Sequence, residues 1–171
     1  AKKYKKISPL SLKIRSPKET GKSFASNSKL KVKYFSDLVN FPVISDDSGL
    51  CIKCLNNRPG IYSARFAKRH GGFAKAMQYI LKRIKKKENR KAVFVCSLSF
   101  KEPKKKIVTV EGRISGKISL KILGKKGFGY DPIFVPNNFK KTFGEMPNWK
   151  KLKMDHRFLA FKKLKKKIKI L

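Results

Sequence analysis

The chain has 171 residues, with 45 Lys and Arg against 10 Asp and Glu, a net charge of +35, 40% hydrophobic residues and 13 Phe. That length and apolar content specify one folded domain over residues 1–171 and exclude a disordered basic tail. The charge draws polyanions of any kind, while the scarcity of Arg beside Lys argues against dedicated base readout.

No apolar stretch reaches the length of a membrane span, so no membrane partner is expected. The opening AKKYKKISPL has charge but no apolar core of a secretory signal. Three Cys without a signal point to a reducing cytoplasm. Cys51 and Cys54 form a C-x-x-C among Leu50, Ile52 and Leu55, which reads as half-buried sheet, since further ligands at metal spacing are lacking.

In chain order, residues 4–15 read as a short extended segment. From Ser23, the residues Phe24, Leu30, Tyr34, Phe35 and Leu38 recur at helical spacing. FPVISDD is a short buried strand entered through Pro42, and GLCIKCL is a second strand. NNRPGIYSARFA carries strong breakers and reads as a loop. GGFAKAMQYILKRIKKK is an amphipathic helix ending in a Lys run. KAVFVCSLSFK and KKIVTVEGRISGKIS alternate and predict adjacent strands joined near Glu102 and Pro103. LGKKGFGYDPIFVP is a Gly-rich loop entering a short strand. A C-terminal helix follows, capped by Asp155, with Phe158, Leu159, Phe161 and Leu164 facing inward. The pattern is mixed α/β without an internal repeat.

Three stretches carry chemistry. Asp46 and Asp47 are adjacent at a predicted strand end before Ser-Gly, so their side chains point to opposite faces. The pair also suits an Asx-type turn; what favours chemistry is Glu19, ahead of a helix, with which Asp47 can share one hard cation. In GKKGFGYDP the glycines permit close backbone approach, and Phe128 and Tyr130 offer rings for stacking on a base. His156 and Arg157 open the last helix, where a phosphate or purine edge can meet them.

ETGKSFASNS, SDDSGLCIKCLNNRPGIYSARFA, GFGYDPIFVP and KMDHRFLAFKKL stand in order. Together they closely resemble the inosine/xanthosine triphosphate pyrophosphatase family, from about residue 10 onward. The resemblance implies an α/β fold of two lobes around a long mixed, twisted sheet with flanking helices and a cleft between the lobes. It also implies a homodimer and Mg²⁺-dependent cleavage of ITP, dITP and XTP to monophosphate and pyrophosphate, cleansing the nucleotide pool. Carried over by motif, Asp47 is general base and metal ligand, Glu19 the other metal-site acid, and Asp46 a supporting acid. Ser48, Phe128, Gly129, Tyr130, Asp131, Lys151, His156 and Arg157 bind the nucleotide.

Three departures stand out. The family's first strand, its [ST]-x-N-x-x-K phosphate loop and first helix have no counterpart, so the domain is expected to be N-terminally truncated, poorly stable and weakly active. Asp155 replaces the usual Ser before His-Arg, and the surface is more basic than is usual. Two rival readings follow: a basic nucleic-acid-binding module, and a nucleotide binder whose catalysis is impaired. The pyrophosphatase reading allows nucleic acid only non-specific binding through net charge.

Overall fold

The computed structural model describes residues 6–85 and 89–168. Helix α1, Phe24–Leu38, begins at a reciprocal cap: the Ser26 N–H donates to Ser23 Oγ, and the Ser23 N–H donates to Ser26 Oγ. Its buried face is Phe24, Asn27, Ser28, Val32 and Phe35. Val32 and Phe35 pack on Val43. Ser28 Oγ joins Ser97 and Ser99 Oγ at 3.0 and 2.8 Å, satisfying hydroxyls the helix takes out of water.

Five strands follow: β1 Val43–Ile52, β2 Arg58–Pro59, β3 Lys91–Lys101, β4 Val108–Ile118 and β5 Phe134–Pro136. They form one sheet in the order β2-β1-β3-β4-β5, and every pairing is antiparallel among the described residues, where a mixed sheet was expected. The expected α/β class with flanking helices is otherwise what is observed. The β3–β4 hairpin forms as the alternation predicts.

The two short strands expected over 41–55 are one continuous strand over Val43–Ile52, and Lys53–Leu55, with Cys54, form a 3-10 turn instead of sheet. Ser48 and Gly49 do not break the strand, because β3 pairs with β1 along its whole length, Ser48 opposite Cys96 and Gly49 opposite Val95. Gly49 serves a different purpose. A Cβ there would collide with the Gly60 carbonyl and Ser63 Oγ, which press on that face. The segment read as a loop contains β2 and helix α2, Ser63–Arg69. The next helix, α3, is Phe73–Arg83; Lys86 and Lys87 of the expected Lys run lie outside the described residues. Of the segment expected to be extended over 4–15, residues 4 and 5 lie outside the description, and Leu10–Leu12 form a 3-10 turn.

After the short helix α4, Asn148–Lys151, comes α5, His156–Ile168. Asp155 Oδ1 accepts the Phe158 N–H at 2.8 Å, the expected cap. The buried stripe of α5 is His156, Ala160 and Leu164. Phe158 and Phe161, expected to face inward, are 37% and 41% exposed. They lie off the stripe that His156, Ala160 and Leu164 set at four-residue spacing, along which α5 lies so close to β4 that a Cβ on Gly112 would strike the His156 carbonyl and Ala160 backbone. The main core joins Leu50, Ile52 and Phe94 of the sheet to Met77 and Ile80 of α3 and to Phe134 and Phe143.

Candidate active site

The side of β1 facing away from β3 meets β2 only at Cys51 and Ile52, which leaves 43–49 an open edge among the described residues. A cleft of about 470 Å³ wraps around this edge. Glu19, Lys31, Asp46, Asp47 and Ser48 line it. Residues of the 61–73 segment, Phe128–Asp131, His156 and Arg157 complete it. The volume lies within the range of small-ligand sites.

Asp46 and Asp47 occupy opposite faces of the strand, as alternation requires. They sit within β1 rather than at its end. Asp47 turns under α1 and is 6% exposed. Its Oδ2 accepts from Asn27 Nδ2 at 3.1 Å, and its Oδ1 lies 3.5 Å from Lys31 Nζ. The same ammonium lies 2.7 Å from Glu19 Oε1. Glu19 Oε2 faces the Arg65 guanidinium at 3.5 Å. Asn27 also accepts the Gly21 N–H at 2.8 Å, so one amide ties the Glu19 loop to Asp47. Burial pushes the Asp47 carboxyl above its ordinary value; the Lys31 charge and the Asn27 hydrogen bond oppose that rise, and the Glu19 charge adds to it.

Asp46 faces α5. Its Oδ2 accepts from Ser48 Oγ at 3.0 Å and lies 3.6 Å from Arg157 Nε. Arg157 Nη1 lies 3.1 Å from His156 Nε2. A guanidinium only donates, so Nε2 is the acceptor and the imidazole proton sits on Nδ1, which is buried without a partner. The His156 ring stacks on Phe94 at 4.8 Å and 10°. Burial, then the Arg157 and Lys151 charges, lower its pKa to about 3.

The Gly-rich loop sets the third wall. Phe128 stands 69% exposed at the rim, edge-on to Phe73 at 5.2 Å. Gly129 turns the chain with φ 66°, and Tyr130 is buried with its hydroxyl donating to the Ser63 carbonyl at 2.9 Å. Asp131 accepts the Phe128 N–H at 2.6 Å and an ion pair from Lys151 at 2.9 Å. Lys151 stands behind the cleft wall, 3.6 Å from Asp155 on its other side.

All the residues singled out in the sequence thus converge on this cleft, Lys151 from behind it. Lys31, Asn27, Arg65 and Phe94 were not anticipated. Arg65 closes the PGIYSAR run inside the quoted SDDSGLCIKCLNNRPGIYSARFA and so carried a readable signal, whereas nothing local sets Lys31 apart from the other lysines. Cys51, Cys54 and Cys96 form no disulfide. Among the described residues, no three His, Cys, Asp or Glu cluster in a way that could hold a metal ion, and no helix is long and apolar enough to cross a membrane.

The Ham1 family sequence profile matches residues 1–167. The chain is 43% identical over 165 residues to the dITP/XTP pyrophosphatase of Dictyoglomus thermophilum, covering 94% of this chain and 80% of that protein. It is 41% identical over 150 residues to the dITP/XTP pyrophosphatase of Bacillus subtilis, covering 86% and 76%. The solved structure of the Staphylococcus aureus Ham1 protein superposes with a TM-score of 0.87 at 33% identity, covering 94% of this chain and 84% of that one.

Proposed function

Because the chain belongs to the Ham1 family, we propose that it hydrolyses dITP, ITP and XTP between the α- and β-phosphates, releasing the nucleoside monophosphate and pyrophosphate. One observation carries the reading. A single cleft crosses the edge of β1, with carboxylates and cations on the α1 face and rings and donors on the α5 face.

Mg²⁺ fits the α1 end. Glu19 and Asp47 already share one cation, the Lys31 ammonium. Two carboxylates without a third acidic, His or Cys ligand among the described residues suit a hard ion that keeps waters and takes phosphate oxygens. Bound there, the ion would neutralise triphosphate charge ahead of nucleophilic attack.

The chain's own residues divide the remaining work. Asp47, oriented by Asn27, takes the proton from the water that attacks the α-phosphorus. Lys31 and Arg65 supply positive charge to the phosphates, and Ser48 lines their path. Phe128 covers the purine face, with Gly129 and Tyr130 shaping the loop and Asp131 tying it to Lys151. Arg157, steadied by Asp46 and His156, donates to O6 of hypoxanthine or xanthine. Adenine presents an amine there and would meet it donor to donor. The proposal includes a homodimer, tested by light scattering, and a cytoplasmic location, in keeping with three Cys that form no disulfide.

The test is pyrophosphate release from ITP, dITP, XTP, ATP and GTP with Mg²⁺. Asp47→Asn is expected to abolish turnover while nucleotide binding survives. Near-normal turnover in that variant refutes the assignment.

A further inference from the structure

The carboxylates of Glu19 and Asp47 each divide their oxygens in the same way. One oxygen is held by the frame, Asp47 Oδ2 by Asn27 and Glu19 Oε2 by Arg65. The other, Asp47 Oδ1 and Glu19 Oε1, is turned to Lys31 Nζ, at 3.5 and 2.7 Å. The Lys31 side chain is only 15% exposed, so this ammonium is an interior charge. A divalent ion held by both carboxylates would compete with the ammonium for their oxygens. It would also have to sit within a few ångströms of the ammonium, where like charges repel strongly away from water. The ammonium and a bridging metal therefore exclude one another at this point. A triphosphate resolves the conflict, because it brings a new anionic partner for Lys31 and further oxygen ligands for the metal.

We propose that Lys31 is the resident counter-ion of the Glu19–Asp47 pair: it keeps a divalent metal off the nucleotide-free protein and passes to the phosphates when nucleotide arrives, so that metal and nucleotide bind as one. The proposal rests on the pyrophosphatase reading of this cleft. It makes Lys31 a positioning residue that sets the order of assembly.

The experiment titrates Mn²⁺ alone into the full chain at pH 8, reading free Mn²⁺ by electron paramagnetic resonance. It is repeated with the α,β-imido analogue of ITP. Wild type is expected to bind Mn²⁺ weakly alone and at least about ten-fold more tightly with the analogue, the scale on which a neighbouring charge shifts ion binding. Lys31→Met and Lys31→Gln are expected to bind Mn²⁺ alone about ten-fold more tightly than wild type. Lys31→Arg, which keeps the charge, stays weak. Urea unfolding establishes that each variant is folded, and the two neutral variants back each other if one is not. Equal or weaker binding of Mn²⁺ by both neutral variants overturns the counter-ion role and leaves the pyrophosphatase reading standing. Failure of wild type to bind the analogue with Mn²⁺ overturns both.

Discussion

Acidification from pH 7 to pH 5 is expected to destabilise the chain through one side chain, His156. The ring is 3% exposed and stacked on Phe94, and burial with the neighbouring Arg157 and Lys151 charges lowers its pKa to about 3. The unfolded chain takes up a proton on this residue as the pH falls through about 6.5. The folded chain does not until about pH 3. The stability held in the neutral ring is therefore fully present above pH 6.5 and is lost as the pH falls toward 3. Between pH 7 and pH 5 the loss is about 2 kcal/mol. Asp47 and Asp131, whose pKa values burial raises, act in the opposite sense, so the total pH dependence does not isolate the histidine. A comparison with His156→Gln does, because the carboxylates are common to both proteins. Urea unfolding at the two pH values is expected to show wild type losing about 2 kcal/mol more than the variant. Proton NMR of the His156 ring is expected to show no titration between pH 5 and 8. Parallel pH dependence in the two proteins, or a ring titrating near pH 6.5, refutes the reasoning.

Three other outcomes follow from the same contacts. Gly112→Ala is expected to lower stability by about 1–3 kcal/mol in urea unfolding, since the new methyl meets the α5 backbone rather than a movable side chain. Asp155→Ala removes the cap on the Phe158 N–H and one of the two carboxylates against Lys151, at a cost of about 1–2 kcal/mol, and Asp155→Ser is expected to recover most of that. Phe128→Ala is expected to leave the urea midpoint unchanged, the ring being 69% exposed, while raising KM for ITP; an unaltered KM removes Phe128 from the purine site.

The alternation of β1 explains why two like charges stand side by side in so basic a chain. Each carboxylate serves a different face, Asp47 toward α1 and Asp46 toward α5, and both line the cleft.

Much of this was written locally. The Ser23 cap of α1, the Asp155 cap of α5 and the β3–β4 hairpin depend on residues a few positions apart, so spacing alone disclosed them. The motif order disclosed the family, and the alternation of a strand separated Asp46 from Asp47. Other features required the assembled chain. Ser48 and Gly49 read as a break, yet the long β3 partner holds them extended. Phe158 and Phe161 read as core, yet α5 seats the His156, Ala160 and Leu164 stripe on the sheet and leaves them partly exposed. Lys31 reads as one surface lysine among many until the fold brings Glu19 and Asp47 to either side of it. Propensity and capping are properties of neighbours along the chain. Pairing, close approach and charge placement are properties of neighbours in space, and only the tertiary structure decides those.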